Sequence, residues 1–581
     1  MIMNQMNYFL NSENPRQRQY EALRAFYYDK LPSVEVVKKF GFSKAYFDKL
    51  KHQFTKALDQ GVNPFFELKK PGPKQPRTAQ TVVEMVILLR KQNYAITDIR
   101  VALDAKNTPL SLDKINNILK NEGFASLPKR THQERVDIQL PKKIIPPESI
   151  SWKCRDEIFS TERAAGVLVF LPVLESLGII KAIEDAHFPS TNQLSDTQMV
   201  LSFLSLKLMG NARWSHDSVW NMDRALGLFS GLNVLPKATT LSSYSYRVQR
   251  TSNITLLKNL VNCFKGEHEE DEFNLDFKAI PHWGDESVLE KNWCGARSRA
   301  MKSILSLIVQ CPQSGMINYT DAELKHNTQN DAVLDFVDFW KVGKGVAPKM
   351  LIFDSKFTTY ENLNKLNADK EQIKFLTIRR RGKKLIEQVN AIPEDQWQTL
   401  QIERAKGKKQ QMCVHDRRTT MSKYEGEIRE IILTEHGRLR PTFLITNDFD
   451  LSAKDLIKKY SRRWMVEKEI AEQIAFFHLN TPSSSIVVKV DFDLTLSLLA
   501  HNLYRYLAQK LHGFEQCNAE TIHRDFLDNG AMITIKNGEA TVALKKKSHL
   551  PILLNAPFIK NPSTLSWLGN LKMNFIGYSV T

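Results

Sequence analysis

The sequence predicts an α/β core in the second half of the chain, preceded by all-α segments. Three observations predict it. Apolar runs of strand length begin after residue 271, whereas the periodicity from about 160 to 264 is helical. Three acidic residues, Asp276, Asp354 and Glu467, lie in or directly after such elements. The formal net charge is +17 over 581 residues, and a field of that sign attracts polyanions such as nucleic acid.

Length and composition narrow the class of protein. A chain of 581 residues is too long for one core, and three or four domains are expected. The most apolar long stretch, residues 164–180, is broken by Pro172 and Glu175, so no membrane span is expected. The start lacks the features of a signal peptide. The six cysteines include no C-x-x-C pair, which predicts a reducing, cytoplasmic setting.

The N-terminal segment reads as a DNA-binding arm. Residues 1–150 hold 25 Lys/Arg and 15 Asp/Glu, a net +10. Ser33 can cap a helix over 34–40 and Ser43 a helix over 44–54, which is helix-turn-helix spacing. The core face of the second helix would hold Tyr46, Phe47, Leu50 and Phe54, leaving Lys44, Lys49 and Lys51 to meet phosphates or base edges.

A similar pair of helices follows after the basic linker 69–74. Thr97 can cap a helix over 98–105, and Ser111 can cap one over 112–121. Its outer face would carry Lys114, Asn117 and Lys120. The alternative for both helix pairs is an ordinary helical hairpin, since this spacing is common. The charge and the linker favour DNA binding.

The order of elements after residue 271 predicts the fold of the core. Strands are expected at 274–280, 303–310, 316–320, 350–354 and 373–378, with helices at 330–342 and 359–367, and then a helix carrying Glu467. This is the order of an RNase H-like fold, in which the first and fourth strands are neighbours. Asp276 and Asp354 would therefore meet at one rim of the sheet.

The remaining stretches are assigned by composition. Basic runs at 379–384 and 406–409, with strand-like runs at 427–433 and 442–446, predict a β-rich insertion with a basic face; solvated loops are the alternative. Asn537-Gly538 predicts a hairpin turn. The predicted domains are a helix-turn-helix arm (1–130), a linker (131–150), a helical domain (151–270), the first part of the core (271–378), the insertion (379–447), the second part of the core with the catalytic helix (448–511) and a C-terminal region with a hairpin (512–581).

The three acids predict a two-metal site. Two aspartates on strands and a glutamate on a helix can share two Mg²⁺ ions, with Mn²⁺ as a substitute, because hard cations prefer carboxylate oxygens. Asp276 would bridge both ions, with Asp354 on one and Glu467 on the other. Two of the acids have another reading: Asp354 as a helix cap, and Glu467 as an i,i+4 partner of Arg463. Asp276 is harder to explain otherwise, because burying an unpaired acid in a strand is costly. Asp285 and Asp448 are rival ligands.

Three motifs resemble those of bacterial insertion-sequence DDE transposases, of the cut-and-paste type with a β insertion before the glutamate. They are Leu275-Asp276-Phe277, Ile352-Phe353-Asp354-Ser355-Lys356-Phe357 and Tyr460-x-x-Arg463-x-x-x-Glu467. The resemblance spans roughly residues 195–511. The family pattern continues with a lysine seven residues after the glutamate, where this chain has Ile474; Lys458 or Lys468 could substitute.

The resemblance implies an enzyme that binds the terminal inverted repeats of its element, cuts them and joins the 3′-hydroxyl ends to target DNA. It implies that Tyr460 and Arg463, helped by Arg462, grip the DNA backbone, with Trp464 as a core anchor or a base-stacking wedge. Further contacts with double-stranded DNA are expected from Lys44, Lys49, Lys114, Arg380 and Lys408. A homodimer in the bacterial cytoplasm, associated with the nucleoid, is implied. The alternatives are a domesticated or degenerate transposase acting as a regulator, and an RNase H-like nuclease without strand transfer.

Overall fold

The computed structural model describes residues 14–61, 64–65, 78–91, 94–105, 108–125, 127, 150–211, 220–264, 271–281, 289–294, 298–403, 409–437, 440–478 and 487–578. The side chains at 80, 101, 104, 105, 403, 464–475 and 488 are outside this description. The chain divides into two compact units, residues 1–79 and 80–581. Across the described helices, none combines the length and the apolar character that crossing a membrane requires.

The first unit contains three described helices: α1 (Pro15–Tyr27), α2 (Ser33–Phe40) and α3 (Lys44–Asp59). The Ser43 hydroxyl accepts a hydrogen bond from the Tyr46 amide, so it caps α3 as predicted. Ser33 does not cap α2, because Pro32 occupies the capping position and Ser33 is already helical. Val36, Phe40, Phe47 and Leu50 pack with Ala22, Leu23 and Ala25 of α1 in the core.

Two predictions about the faces of α3 are wrong. Tyr46 is 43% exposed rather than in the core, and its hydroxyl accepts a hydrogen bond from Gln19. Lys51 pairs with Asp48 at 2.8 Å, and its ammonium lies 4.6 Å from the centre of the Phe26 ring. Lys51 is therefore engaged within the unit, whereas Lys44 and Lys49 are exposed.

The second unit begins with α4 (Gln80–Lys91), α5 (Ile96–Ala105) and α6 (Leu112–Asn121). Ser111 caps α6 as predicted, by accepting from the Lys114 amide. Thr97 lies inside α5 instead of capping it, and Asp98 accepts from the Ala95 amide there. The Lys91 ammonium donates to the Val248 carbonyl at 2.8 Å, which fastens these helices to the helical region that follows.

That helical region contains a strand that its periodicity did not predict. β1 (Glu157–Thr161) pairs antiparallel with residues 531–535 of the C-terminal region. A 3₁₀ turn (Ala165–Val169) follows, then α7 (Phe170–Ser176), α8 (Ile179–Glu184), α9 (Asp196–Leu208), α10 (Arg224–Phe229), α11 (Ala238–Ser245) and α12 (Arg250–Cys263). One strand from this region and four from the C-terminal part thus build one five-stranded sheet.

The central sheet contains ten strands. They are β2 (Glu272–Pro281), β3 (Lys291–Cys294), β4 (Arg299–Gln310), β5 (Ile317–Leu324), β6 (Met350–Phe353), β7 (Lys374–Ile378), β8 (Gln398–Glu403), β9 (Lys409–Thr419), β10 (Ile428–Thr434) and β11 (Thr442–Thr446). The order is β3-β4-β2-β6-β7-β11-β10-β9-β8, and β5 also pairs with β4. The strands β5-β4-β2-β6-β7 fit an RNase H-like core, with β2, β6 and β7 parallel. The strands β8 to β11 extend this same sheet.

Helices cover both faces of the sheet. α13 (Ala332–Lys344), α14 (Tyr360–Ala368) and α15 (Lys383–Asn390) follow β5, β6 and β7, and a 3₁₀ turn (Glu394–Gln396) precedes β8. Phe273 of β2 packs on α13, with its ring 4.4 Å from that of Trp340. The opposite face is covered by α16 (Ala453–Phe477), whose Leu456 and Ile457 pack on Ile352 of β6.

The C-terminal part completes the second unit. α17 (Val487–Gln509) lies along β5, where the Asn502 amide pairs with the backbone N–H and C=O of Ile317. These two hydrogen bonds satisfy the backbone groups of Ile317 on β5, an edge strand of the sheet. The rest comprises α18 (Ala519–Ile522), a π turn (His523–Leu527), β12 (Ala531–Lys536), β13 (Glu539–Lys545), α19 (Leu550–Leu554), α20 (Pro557–Lys560), β14 (Ser563–Leu565), a 3₁₀ turn (Ser566–Leu568) and β15 (Leu571–Tyr578). Asn537 and Gly538 have φ of 52° and 77°, which agrees with the predicted type I′ turn.

Candidate active site

Parallel pairing brings Asp276 and Asp354 side by side. In the register of β2 with β6, Leu275 pairs with Phe353. The residues that follow them are Asp276 and Asp354, and adjacent strands lie about 4.8 Å apart. The Asp354 carboxylate accepts a hydrogen bond from the Ser355 amide, and its carbonyl accepts one from the Phe357 amide. The predicted meeting of the two aspartates at one rim therefore follows from strand register.

Helix α16 crosses the sheet face that carries these acids. Lys459 pairs with Glu272 at the start of β2, and one turn later Arg463 Nη1 lies 3.4 Å from Asp276 Oδ1. Only 5% of the Arg463 side chain is exposed, so this contact is largely shielded from water. Glu467 follows Arg463 by one further helical turn; the structure describes the helix at this position but not the Glu467 side chain.

Tyr460 is buried beside the same acids. The Arg463 guanidinium lies 5.4 Å from the centre of its ring. Burial raises the pKa of Tyr460 to about 12. The charge of Arg463 opposes this shift, and the charges of Asp354 and Asp276 add to it. The phenol is therefore neutral across the physiological range, and its O–H is available as a hydrogen-bond donor rather than as a base.

The donor chemistry of the two aspartates fits a hard divalent cation. Two adjacent carboxylates supply the oxygen ligands that Mg²⁺ prefers. Within the part of the chain whose side chains are described, no group of three His, Cys, Asp or Glu residues could hold a metal ion. The third predicted ligand, Glu467, belongs to the side chains outside that part.

Asn274 is a polar neighbour of the site that the sequence interpretation did not single out. It precedes Asp276 by two residues on β2 and therefore shares its face of the sheet. It is 1% exposed, and neither polar atom of its side-chain amide has a hydrogen-bond partner among the described residues. The available signal was an amide beside an acid within the apolar strand Phe-Asn-Leu-Asp.

The other predicted residues fall in different places. Arg462 on α16 and Arg380 after β7 are exposed, and Lys114 on α6 is half-buried. Asp448 is 6% exposed, and its carboxylate accepts from the amides of Asp450 and Leu451, so it forms the turn before α16 and is not at the site. Lys408, Asp285 and the linker 69–74, together with the side chains of Trp464, Lys468 and Ile474, lie outside the described part of the chain.

Comparison with known proteins agrees with this arrangement. Residues 305–503 match the family described as the transposase DDE domain. The matched range contains Asp354, Tyr460, Arg463 and Glu467, while Asp276 precedes it. The match supports a DDE transposase, an enzyme that cuts and transfers DNA. The mixed sheet and the helices of this chain fit an RNase H-like core.

A solved structure is also similar to this chain. It is the piggyBac transposase synaptic complex with hairpin DNA, at 8% sequence identity and a TM-score of 0.35, covering 64% of this chain and 82% of that chain. The curated proteins contain no match to this chain.

Proposed function

We propose that this protein is an insertion-sequence DDE transposase that binds the terminal inverted repeats of its element, cleaves the DNA there and joins the 3′-hydroxyl ends to target DNA. The observation that carries the proposal is the adjacent register of Asp276 and Asp354, facing a helix that bears Tyr460, Arg463 and Glu467. Two acids on neighbouring strands, with a third acid on the helix that crosses the same face of the sheet, supply the carboxylates that a two-metal site uses.

In this proposal Asp276, Asp354 and Glu467 hold two Mg²⁺ ions, or Mn²⁺ in their place. When bound, such ions lower the pKa of the attacking hydroxyl and stabilise the departing oxygen. Arg463 pairs with Asp276 in the described state and would turn its guanidinium to a DNA phosphate, where an arginine binds in a planar, two-point manner. Tyr460, neutral and buried, would donate a hydrogen bond to the same backbone.

DNA binding is proposed for both units. The exposed Lys44 and Lys49 of α3 in the first compact unit would contact the element end. Lys114 of α6 in the second compact unit would contact it as well. Arg462, Arg380 and Lys408 would contact DNA near the cleaved bond. The domain boundaries given above, a homodimer that holds two ends together, and a bacterial cytoplasmic location at the nucleoid belong to the same proposal.

The test is cleavage of the gene's own flanking DNA. Purified protein is incubated with this DNA, with and without Mg²⁺, and the products are mapped on a sequencing gel. Metal-dependent cuts at the two ends of an inverted repeat are expected. Asp276→Asn, Asp354→Asn and Glu467→Gln should each lower the cleavage rate by at least about a hundredfold and leave end binding intact. Asp450→Asn, at a side chain that is 90% exposed, is the control and should cut normally.

Other outcomes separate the alternatives. Tight binding of the ends without cleavage would favour a domesticated regulator, and Ile474→Lys would then be the first reversion. Cleavage that never joins a 3′-hydroxyl to a second DNA would favour an RNase H-like nuclease. A normal cleavage rate for Asp354→Asn would overturn the assignment of the acids.

A further inference from the structure

A two-stranded ribbon extends the sheet beyond the candidate acids. β4 pairs with β2 up to the pair Pro281–Ser303 and then continues against β3. Asp276 is opposite Ile308 of β4, whereas Trp293 of β3 is opposite Ala300. Eight residues of β4 separate these two positions, a span of up to about 26 Å.

One face of this ribbon is aromatic and basic, and it is the face that carries Asp276. Directly opposed residues of antiparallel strands point to the same side, and alternate residues along a strand share a side. Trp293, Lys291 and Lys302 therefore lie on the side of Asp276. Trp293 is 60% exposed and Lys291 is exposed as well.

The other face of the ribbon is fixed to the body of the unit. Asn292 and Cys294 are buried. The Asn292 amide donates to the Ser303 carbonyl, and its oxygen lies 2.8 Å from His326 Nε2. The His326 amide in turn donates to the Glu290 carboxylate at 2.8 Å. These contacts hold β3 against the body of the unit, with the exposed Trp293 on the opposite face of the strand.

We propose that this ribbon binds single-stranded DNA next to the cleaved duplex, with Trp293 stacked on an unpaired base and Lys291 and Lys302 at the phosphates of that strand. An exposed indole loses its contact with water when a base covers it, and stacking of this kind accepts any base. Two lysines on the same face supply the opposite charge to the backbone. The inference rests on the proposed function, because the cleavage reaction is what exposes such a strand.

The experiment measures DNA binding by the full chain without divalent metal. A blunt duplex of arbitrary sequence is compared with the same duplex carrying a single-stranded tail, by fluorescence anisotropy over a range of salt concentrations. Trp293→Ala should lower affinity for the tailed DNA about tenfold and leave the blunt duplex unchanged. Trp293→Phe should keep most of the tail-dependent affinity. Lys291→Gln should reduce the slope of log affinity against log salt by about one for the tailed DNA.

Two exposed residues of β15, Tyr578 and Lys572, provide matched controls. Tyr578→Ala and Lys572→Gln should bind both DNAs like the wild type. The inference is overturned if Trp293→Ala binds the tailed DNA like the wild type, or if it loses affinity equally for both DNAs. Because binding is measured without cleavage, a protein that fails to cut element ends but needs Trp293 for tailed DNA would overturn the proposed function alone.

Discussion

The buried amide of Asn274 lowers the stability of the fold, and this effect can be measured separately from any effect of the residue on cleavage. Both polar atoms of its amide are buried without a hydrogen-bond partner in the described structure. Leaving such a group unsatisfied costs roughly 1–3 kcal/mol. Local costs of this kind persist mainly where function requires the group. Its position two residues before Asp276 on the same face supplies such a reason.

Replacing Asn274 by the similarly shaped Leu should therefore stabilise the protein and weaken cleavage. The free energy of unfolding is expected to rise by about 1–2 kcal/mol, because no hydrogen bond is lost and two unsatisfied atoms are removed. Urea denaturation followed by circular dichroism measures the first effect, and the cleavage assay measures the second. Asn502→Leu is the contrast: its amide pairs with Ile317, so the same substitution should destabilise. A lower urea midpoint for Asn274→Leu would contradict the argument.

At the residue scale the sequence locates acids better than their partners. Asp276 and Asp354 were predicted to meet because element order fixes which strands are neighbours. The contact of Arg463 with Asp276 was not predicted, since it depends on how α16 lies across the sheet. Lys51 was assigned to DNA wrongly because its ring contact comes from Phe26 on another helix. Side-chain pairing across elements needs three-dimensional placement, which periodicity does not contain.

At the scale of elements, a buried charge cluster joins the added strands to the core. Glu430 of β10 has no exposed side-chain surface and pairs with Arg379 and Arg417, each at 2.6 Å. Arg379 follows β7, and Arg417 lies on β9. Three neighbouring parts of the sheet are therefore linked through one carboxylate.

Glu430→Ala should destabilise the second unit by about 3 kcal/mol, because two arginines in a shielded place lose their counter-charge. Thermal or urea unfolding measures the change. Glu427→Ala is the control: that glutamate is 56% exposed and lies 3.3 Å from the exposed Arg418, so its removal should cost less than about 1 kcal/mol. Equal losses for the two variants would show that the burial of Glu430 contributes nothing.

The elements of the core were largely predictable, whereas several strands outside it were not. The strands 274–280 and 303–310 and the helix 330–342 were predicted within a few residues of β2, β4 and α13, since each has a long periodic pattern. The strands β8, β9, β14 and β15 were not predicted individually, and β1 and β3 were missed. Both are short, and β1 is a strand only because β12 from the far end of the chain pairs with it.

At the scale of the whole molecule, positive charge is spread over both compact units. Residues 1–79 contain 14 Lys/Arg and 7 Asp/Glu, a net +7, which leaves +10 for residues 80–581. The proposed contacts with DNA accordingly involve both units. The sequence predicted one helix-turn-helix arm over residues 1–130, and neither the division at residue 79 nor the inclusion of α4 to α6 in the second unit was foreseen. The reason is that the helix pair before residue 79 and the pair after it have the same sequence pattern.

The stability of the second unit should fall in acid because of His501. Its Nε2 lies 2.9 Å from the Gly315 carbonyl, and burial lowers the pKa of His501 to about 4. Between its unfolded pKa near 6.5 and this value, the unfolded chain binds more protons than the folded one. Stability is therefore complete above the unfolded pKa and is lost as the pH falls toward 4, by about 3 kcal/mol.

His501→Gln should remove that part of the acid sensitivity, since glutamine can donate to the same carbonyl and does not titrate. The measurement is the difference between urea midpoints at neutral and acidic pH, compared for wild type and variant. His523, whose pKa burial also lowers to about 4, keeps part of the dependence in both proteins. His512→Gln, at an exposed position, should behave like the wild type. An unchanged pH dependence in His501→Gln would mean that the acid sensitivity arises elsewhere.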